Sequence, residues 1–153
     1  MSQAATCCFT GHRTLPGERH AAIEAAIGEQ LQAAIREGYT HFLCGMASGA
    51  DLLFAKAVAA QKRQHPITLE AAIPYPGRLN TPDALFRELI ACCDRVTTHS
   101  QAYHPGCYHL RNRRMVESSS RLIAVYNGEA TSGTASTLRY ARKQGLEIFI
   151  IPV

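Results

Sequence analysis

The sequence lacks the features that would place this chain in a membrane or outside the cell. It has no tryptophan, and its apolar runs are far too short to cross a bilayer. The first residues, MSQAATCCF, lack the basic, apolar and cleavage regions of a signal peptide. We therefore expect a soluble, cytoplasmic protein with no membrane partner. No internal repeat, low-complexity segment or linker divides the chain, so we expect a single domain over residues 1–153.

The cysteines lack the spacing of a redox or zinc motif. There is no C-x-x-C pair, and neighbouring cysteines do not easily bridge each other. The six cysteines are Cys7, Cys8, Cys44, Cys92, Cys93 and Cys107. Four of them fall at the ends of predicted strands or helices, where a free thiol behaves as a small apolar residue. We expect reduced core thiols, with disulfides or zinc as the less favoured alternatives.

One histidine-rich stretch raises the question of a metal site. His99, His104 and His109 share a predicted loop with Cys107. Their spacing matches no zinc pattern, and a long loop beside a binding cleft often collects polar residues. We therefore expect no metal ion and no required cofactor, with a metal site as the minor alternative.

Charge and nucleotide motifs are also scarce. The formal net charge is +4 without a long basic run, which permits an acidic ligand but is weak evidence for nucleic acid. The motifs G-x-G-x-x-G and G-x-x-x-x-G-K-[ST] are both absent. An ordinary dinucleotide site or an ATP-hydrolysing site is therefore not supported.

Apolar runs alternate with helical patterns along the whole chain, which is typical of βαβ units. The predicted strands are Ala4–Phe9, His41–Cys44, Ile67–Ile73, Arg95–Thr98, Leu122–Tyr126 and Glu147–Ile151. This pattern predicts an α/β fold with a single Rossmann-like, doubly wound, mostly parallel sheet of about six strands in the order 3-2-1-4-5-6, flanked by helices. With that order, the loops Thr10–Pro16 and His99–His109 would flank the switch point between the first and fourth strands.

Turn and capping residues predict where the helices begin and end. Ser48 and Asp51 have the spacing of a capping box, and Thr81 before a proline is a good helix cap. Gly38 and Gly145 follow apolar helical patterns and are expected to end those helices.

Three loops at the carboxyl edge of the predicted sheet have the residues of an anion site. Each carries a glycine, and two of them open a helix whose free N–H groups and dipole suit a phosphate. The alternative is that α/β proteins need glycine in tight turns whatever they bind. The candidate phosphate-binding residues in these loops are Gly11, Arg13, Gly45, Ser48, Gly49, Asp51, Gly128, Ser132, Gly133 and Thr134.

A basic helix adds a charged group to the same edge. Arg111 lies one turn before Met115 and Asn112 one turn before Val116, so both polar side chains share the apolar, sheet-facing side. An inward-facing arginine needs a partner, because an unpaired buried charge is costly. A ligand anion is one candidate partner for Arg111, and a carboxylate such as that of Asp51 is the other.

The segments FTGHR, CGMASGADLLFAKAV, RNRRMVESSSRLIAVYNG and SGTASTLRYA carry a resemblance over nearly the whole chain. They resemble, in the same order, motifs of the SLOG superfamily of Rossmann-like proteins. That superfamily joins the DNA-processing protein Smf/DprA with the LOG phosphoribohydrolases, and the YpsA-like group is the most similar. The resemblance implies a Rossmann-like fold and a nucleotide-like ligand.

The resemblance also bears on catalysis. LOG enzymes release a base from a nucleoside monophosphate, using R-K-x-x-M before a strand and P-G-G-x-G-T-x-x-E after it. Arg111 and Met115 match the first motif, and Gly133-Thr134 match the G-T pair of the second. Thr137 occupies the position of the catalytic glutamate, and a hydroxyl cannot act as a carboxylate base.

Three functions are therefore expected, in decreasing order. The first is binding of a nucleotide, nucleotide derivative or other phosphate-containing small molecule. The second is LOG-like hydrolysis of such a nucleotide, for which Glu129, His12 and His109 are the catalytic candidates. The third is binding of single-stranded DNA, as the Smf/DprA resemblance implies; it ranks last because only 7% of residues are aromatic. Similarity to LOG proteins implies a homodimer or higher homo-oligomer.

Overall fold

Strands and helices alternate along the chain as the sequence predicts. A computed structural model describes residues 2–153, with six strands and five α-helices in that range. The elements are β1 Thr6–Gly11, α1 His20–Arg36, β2 His41–Cys44, α2 Ala50–Gln61, β3 Thr68–Ile73, α3 Ala84–Ala91, β4 Arg95–Thr98, α4 Cys107–Glu117, β5 Arg121–Tyr126, α5 Gly133–Lys143 and β6 Glu147–Pro152. The first strand begins at Thr6 rather than Ala4, because Gln3–Ala5 form a 3-10 turn.

The six strands form one parallel sheet, which confirms the Rossmann-like α/β fold. The order is β4-β3-β2-β1-β5-β6, so the predicted order 3-2-1-4-5-6 is wrong in the position of the fourth strand. β4 pairs with β3 at the edge, and β5 pairs with β1. The physical reason lies in burial: Arg95, Val96 and Thr98 are exposed on β4, whereas an inner strand would bury its residues.

The changed order moves the switch point to the gap between β1 and β5. The loop after β1 flanks it as predicted, and the loop after β5 lies on the other side; of the predicted stretch 99–109, only the end at Tyr108 and His109 reaches the switch point. His99 stays at the far edge, where its N–H donates to the carbonyl of Ile73 at 2.9 Å. The chain then crosses the sheet and delivers the start of α4 to the switch point.

The two faces of the sheet have separate cores. On one face, α1, α2 and α3 cover the larger core, in which the rings of Phe9 and Phe54 stack with centroids 4.5 Å apart. On the other face, α4 and α5 cover a smaller core around Met115, Leu122 and Leu138. Each fully buried side chain of this size contributes about 1.5–3 kcal/mol to folding.

The predicted capping by Ser48 is wrong. Ser48 is exposed, and the residue before α2 is Gly49, with φ +81°. A Cβ at Gly49 would lie 2.3 Å from the carbonyl oxygen of Arg13, so close packing of two loops fixes this turn. The side chain of Asp51 contacts the preceding turn: its Oδ2 accepts the N–H of Ala47 at 3.0 Å.

The other helix ends follow ordinary capping rules. Asp83, not Thr81, caps α3, and its Oδ1 accepts the N–H of Phe86 at 2.9 Å. Gly38 and Gly145 have φ of +96° and +80° after α1 and α5, as predicted. No helix within residues 2–153 is long and apolar enough to cross a bilayer.

The six cysteines are free thiols, as predicted, but Cys92 is exposed and Cys93 is half-buried, so only four lie in the core. Cys7, Cys8, Cys44 and Cys107 are buried. Burial raises the pKa of Cys8 to about 12, so this thiol stays protonated in the core.

Candidate anion-binding site

A cavity of about 300 Å³ lies at the switch point, and we call it the central cavity. Four segments line it: the end of β1 with the following loop, the approach to α2, the first turns of α4 and the start of α5. The carboxyl edge of a doubly wound sheet is where such folds bind their ligands.

The structure brings most of the sequence-predicted site residues together here. The predicted residues that line the central cavity are Gly11, His12, Arg13, Asp51, His109, Arg111, Asn112, Gly133 and Thr134. The predicted residues that do not line it are Gly45, Ser48, Gly49, Gly128, Glu129 and Ser132.

Arg111 is held by oxygen atoms of the fold. Its side chain is buried, Nη1 donates to the carbonyls of Gly45 at 2.8 Å and Ala72 at 2.9 Å, and Nε donates to Oδ1 of Asn112 at 2.8 Å. Within residues 2–153 it makes no ion pair shorter than 4.0 Å and no hydrogen bond through Nη2. Burial lowers the pKa of Arg111 from its ordinary value, but a guanidinium stays charged at neutral pH. The alternative partner named from the sequence, Asp51, therefore forms no ion pair with Arg111 at contact distance.

Asp51 is the buried carboxylate of the same wall. It is 6% exposed, and burial raises its pKa to about 6, against the attraction of the charge on Arg111. A Cβ at Gly45 would lie 2.9 Å from Cζ of Arg111 and 3.1 Å from Oδ2 of Asp51. Glycine at position 45 thus allows the two charged groups to approach the same backbone turn.

Glycines in the loops have two different explanations. A Cβ at Gly11 would lie 2.5 Å from Cβ of Ala50, and Gly49 is equally confined by the loop after β1. Close packing accounts for both of these glycines without a ligand. Gly133 differs, because a Cβ there would meet no atom of the described residues within 4 Å apart from its chain neighbours and the backbone of its own helix. It lies at the start of α5 with open space beside it.

The start of α5 presents free backbone donors. Ser132 caps the helix, and its Oγ accepts the N–H of Ala135 at 3.1 Å. The N–H groups of Gly133 and Thr134 donate to no atom of residues 2–153. Both residues line the central cavity, so these donors and the positive end of the helix dipole are available to an anion.

His12 connects the two loops that flank the switch point. Its Nε2 accepts the N–H of Asn127 at 3.0 Å, and its ring stacks on Tyr126 with centroids 6.0 Å apart. The shared hydrogen bond requires an unprotonated Nε2. Glu129, in the same second loop, is exposed and lies outside the central cavity.

Sequence reasoning missed Tyr108. The Cζ atoms of Arg13 and Arg111 lie 5.1 Å and 5.5 Å from the centre of its ring, so one aromatic group contacts both cations of the cavity. Tyr75 meets Tyr108 edge-on with centroids 6.4 Å apart. The spacing of Tyr108 and Arg111 on one helix face was the available signal, since residues three apart are neighbours.

The histidine stretch does not gather around one point. His104 Nε2 lies 2.9 Å from Oγ of Ser100, Cys107 is buried, and His109 lines the central cavity. No group of three or more metal-binding side chains occurs within residues 2–153.

A parallel sheet with helices on both faces and a polar cavity at its switch point defines a Rossmann-like α/β protein. The model of the YspA SLOG family matches residues 10–152, and the chain belongs to that family. No curated protein matches the chain in sequence.

Two solved structures share the fold. DNA processing protein A from Helicobacter pylori, described for its single-stranded DNA binding mode, has a TM-score of 0.72 and 15% sequence identity, over 99% of this chain and 66% of that one. The chain thus spans just under two thirds of that protein. The X-ray structure of TM1055, a structural genomics target, has a TM-score of 0.62 and 15% identity, over 97% of this chain and 72% of that one.

Proposed function

We propose that this protein binds a nucleotide or nucleotide derivative in the central cavity, with a phosphate group at the start of α5. The carrying observation is that the free N–H groups of Gly133 and Thr134 line the same cavity as the buried guanidinium of Arg111. Backbone donors, a helix dipole and a fixed positive charge are the elements of a phosphate site.

The energetics of Arg111 support an anionic ligand. A buried charge costs free energy, and its two carbonyl partners and the attraction of the nearby Asp51 carboxylate offset only part of that cost. Gln61 Oε1 is the only fully enclosed side-chain polar atom without a partner in the described part of the chain, so Nη2 of Arg111 is not enclosed. A phosphate oxygen in the cavity would complete its hydrogen bonding.

The remaining polar groups suit a sugar. Asp51 has a free carboxylate oxygen, and Asn112 uses Oδ1 for Arg111, which leaves its amide N–H groups available. Both side chains line the central cavity and can form hydrogen bonds with ribose hydroxyls.

A proline substitution tests the site without removing a buried side chain. Gly133 is the first residue of α5, and Ser132 before it is extended with φ −73° and ψ 160°, so Gly133→Pro fits the backbone. It removes one of the two free N–H donors. We expect calorimetry with the four common nucleoside monophosphates to show binding to the native protein and at least tenfold weaker binding to the variant, since a hydrogen bond to a charged group contributes about 1.5–3 kcal/mol.

Gly133→Ala is the matched control, because it keeps the N–H and its Cβ meets open space. Its affinity should stay within about twofold of the native value. Equal affinities in the proline and alanine variants would refute the phosphate position, and no binding of any nucleotide to the native protein would refute the function.

Hydrolysis of the bound nucleotide is a second candidate, and Asp51 favours it. Its carboxyl group has a pKa of about 6 and lines the central cavity, whereas Thr137 offers only a hydroxyl that donates to the carbonyl of Gly133 at 3.0 Å. Incubation with nucleoside monophosphates, followed by chromatography, should release a base or phosphate that Asp51→Asn does not release. The absence of any product at high protein concentration would exclude this candidate.

Single-stranded DNA is a third candidate. A cavity of about 250 Å³ adjoins the central one through Arg13 and Tyr108 and adds Arg78. Cations beside an aromatic ring suit a single strand, and a structurally similar protein is described as binding one. A gel shift with a short oligonucleotide should be strong at low salt and weaker with Arg78→Glu. No shift at low salt would exclude it.

A further inference from the structure

A second cavity opens between α4 and α5, and we call it the helical cavity. Its volume is about 250 Å³, and it shares His109 and Asn112 with the central cavity. The two cavities are therefore neighbours on either side of these two side chains.

The helical cavity is lined by positive charge and by hydrogen-bond donors. Three cationic side chains, Arg113, Arg139 and Lys143, line it together with Tyr140 and with Ser136, whose hydroxyl group can donate a hydrogen bond. No carboxylate side chain of residues 2–153 lines it. Side chains of one charge sign around a small cavity repel each other, and an anion bound between them offsets that repulsion.

The fold does not neutralise these cations. None of the three forms an ion pair shorter than 4.0 Å within residues 2–153. Arg113 lies over the ring of Tyr140 with Cζ 4.9 Å from its centre, and Arg139 Nη1 donates to the carbonyl of Ala130 at 2.9 Å. These contacts orient the guanidinium groups but leave their charge uncompensated.

Glu117 lies next to the helical cavity without lining it. Glu117 accepts the hydroxyl of Tyr140 at 2.5 Å, and this hydrogen bond raises the pKa of Tyr140. On the wall nearer α5, Thr137 is buried and neutral, with its hydroxyl donating to Gly133. The cavity therefore keeps a net positive lining between the two helices.

We propose that the helical cavity is a second anion subsite of the same ligand, so that this ligand is a nucleotide with at least two phosphoryl groups. The inference rests on the proposed function of the central cavity. The first phosphoryl group lies at the start of α5, and the second lies among Arg113, Arg139 and Lys143. Asn112, which lines both cavities, lies between the two groups and can donate to either through its amide.

Paired ligands and paired variants test this proposal. The ligands are AMP, ADP and the 5′-phosphorylated dinucleotide pApA, with the corresponding guanine, cytosine and uracil compounds, measured by calorimetry. Lys143→Glu and Arg113→Glu reverse charges in the helical cavity. Arg142→Glu is the matched control, because Arg142 is exposed, lies outside this cavity, and shares the last turn of α5 with Lys143. Lys143→Glu and Arg142→Glu both lose the same favourable interaction with the dipole of α5.

We expect ADP or pApA to bind the native protein at least tenfold more tightly than AMP. Lys143→Glu and Arg113→Glu should remove this advantage while changing the affinity for AMP by less than about threefold, and Arg142→Glu should preserve it. An advantage for ADP alone indicates directly bonded phosphoryl groups, and one for pApA alone indicates groups separated by a sugar.

Other results overturn the proposal. If AMP binds as tightly as both longer ligands, the helical cavity is not a subsite, although the proposed function survives. If the advantage persists in Lys143→Glu and Arg113→Glu, or is lost equally in Arg142→Glu, the second group does not lie in this cavity. If no ligand binds the native protein, the proposed function and this inference both fail.

Discussion

Arg111 combines two roles that are usually separate. Its Nη1 satisfies the carbonyls of Gly45 and Ala72, which join the β2–α2 turn to β3, while its charge faces the central cavity. Carbonyl partners fix the guanidinium in place without neutralising it. A carboxylate partner would have held it equally well and left little attraction for a ligand.

Replacement of Arg111 should therefore affect both stability and binding. Arg111→Gln leaves at least one buried carbonyl without a donor, and we expect the free energy of unfolding to fall by about 1–3 kcal/mol. Nucleoside monophosphate binding should fall at least tenfold at a temperature where the variant is folded. Denaturant unfolding and calorimetry measure the two effects.

Arg114→Gln is the control for this variant, since Arg114 is exposed on the same helix and lies outside the central cavity. It should change neither quantity measurably. If Arg111→Gln unfolds more easily yet binds with native affinity, the arginine is a structural residue only.

Asp51 should make stability depend on pH. Its pKa is about 6 in the fold against an ordinary value of 3.8, so between these values the folded protein holds a proton that the unfolded chain has released. The free energy of unfolding therefore falls as pH rises through this window and levels off above about pH 7. With about 1.4 kcal/mol for each tenfold change in proton affinity, the contribution is on the order of 3 kcal/mol.

Asp51→Asn removes the titration and keeps an oxygen for the N–H of Ala47. Relative to the native protein, the variant should gain stability between pH 4 and pH 7 and show a flat difference above pH 7. Urea unfolding at several pH values measures this difference. A difference that does not change over this range would show that Asp51 is ionised in the fold at a normal pKa.

Two kinds of glycine position occur in the loops between strands and helices. Some glycines are closely packed where two loops touch each other, and one glycine has open space where its loop faces the central cavity. Gly49 combines a positive φ with the backbone of Arg13 directly beside it, whereas Gly133 has neither constraint. This contrast separates glycines required by close packing of the fold from a glycine whose position tolerates a side chain. The sequence shows both simply as glycine after a strand.

Alanine substitutions should reveal the contrast. Gly49→Ala places a methyl group against backbone atoms at a left-handed position, and we expect it to lower the free energy of unfolding by about 2 kcal/mol or more, on the order of the largest backbone effects. Gly133→Ala should be neutral or slightly stabilising, because alanine favours the helix. Thermal unfolding of both variants is the measurement, and similar losses in the two would contradict this assignment.

Much of the architecture could be predicted from the periodicity of apolar residues, because strands and helices bury regularly spaced side chains. The six strands and the glycine ends of α1 and α5 follow from local residue preferences, whereas the predicted caps Ser48 and Thr81 were wrong. The position of β4 depends on which strand it pairs with, and pairing is not local. Its polar residues Arg95 and Thr97 were the available signal for an edge strand.

Part of the site could also be predicted, because some of its features depend on local sequence patterns. Helix starts and an inward arginine are local patterns, so the central cavity contains Arg111, Gly133 and Thr134 as expected. The cation–π contacts of Tyr108 and the raised pKa of Asp51 arise from burial among distant segments. Ser48 was predicted to bind the phosphate but does not line the central cavity. Gly49 packs against the backbone of Arg13, and Ser48 beside it is exposed to solvent.

Assembly of the whole molecule stays a prediction. The resemblance to LOG proteins implies a homodimer or higher oligomer, and both edge strands carry exposed apolar residues, Val96 on β4 and Ile150 on β6. Sedimentation velocity at micromolar concentration should show an oligomer whose mass is a multiple of 16.7 kDa. A monomer over the whole accessible concentration range would contradict the expectation.

The walls of the central cavity come from segments between residue 9 and residue 134, joined only when β1, β5 and the crossover through α4 are all in place. Any compound that occupies it holds together nearly the entire polypeptide. Occupancy at a hundredfold excess over Kd would then add about 2.7 kcal/mol against global unfolding. A metabolite library screened by melting temperature can therefore reveal the physiological ligand, whatever its chemical class.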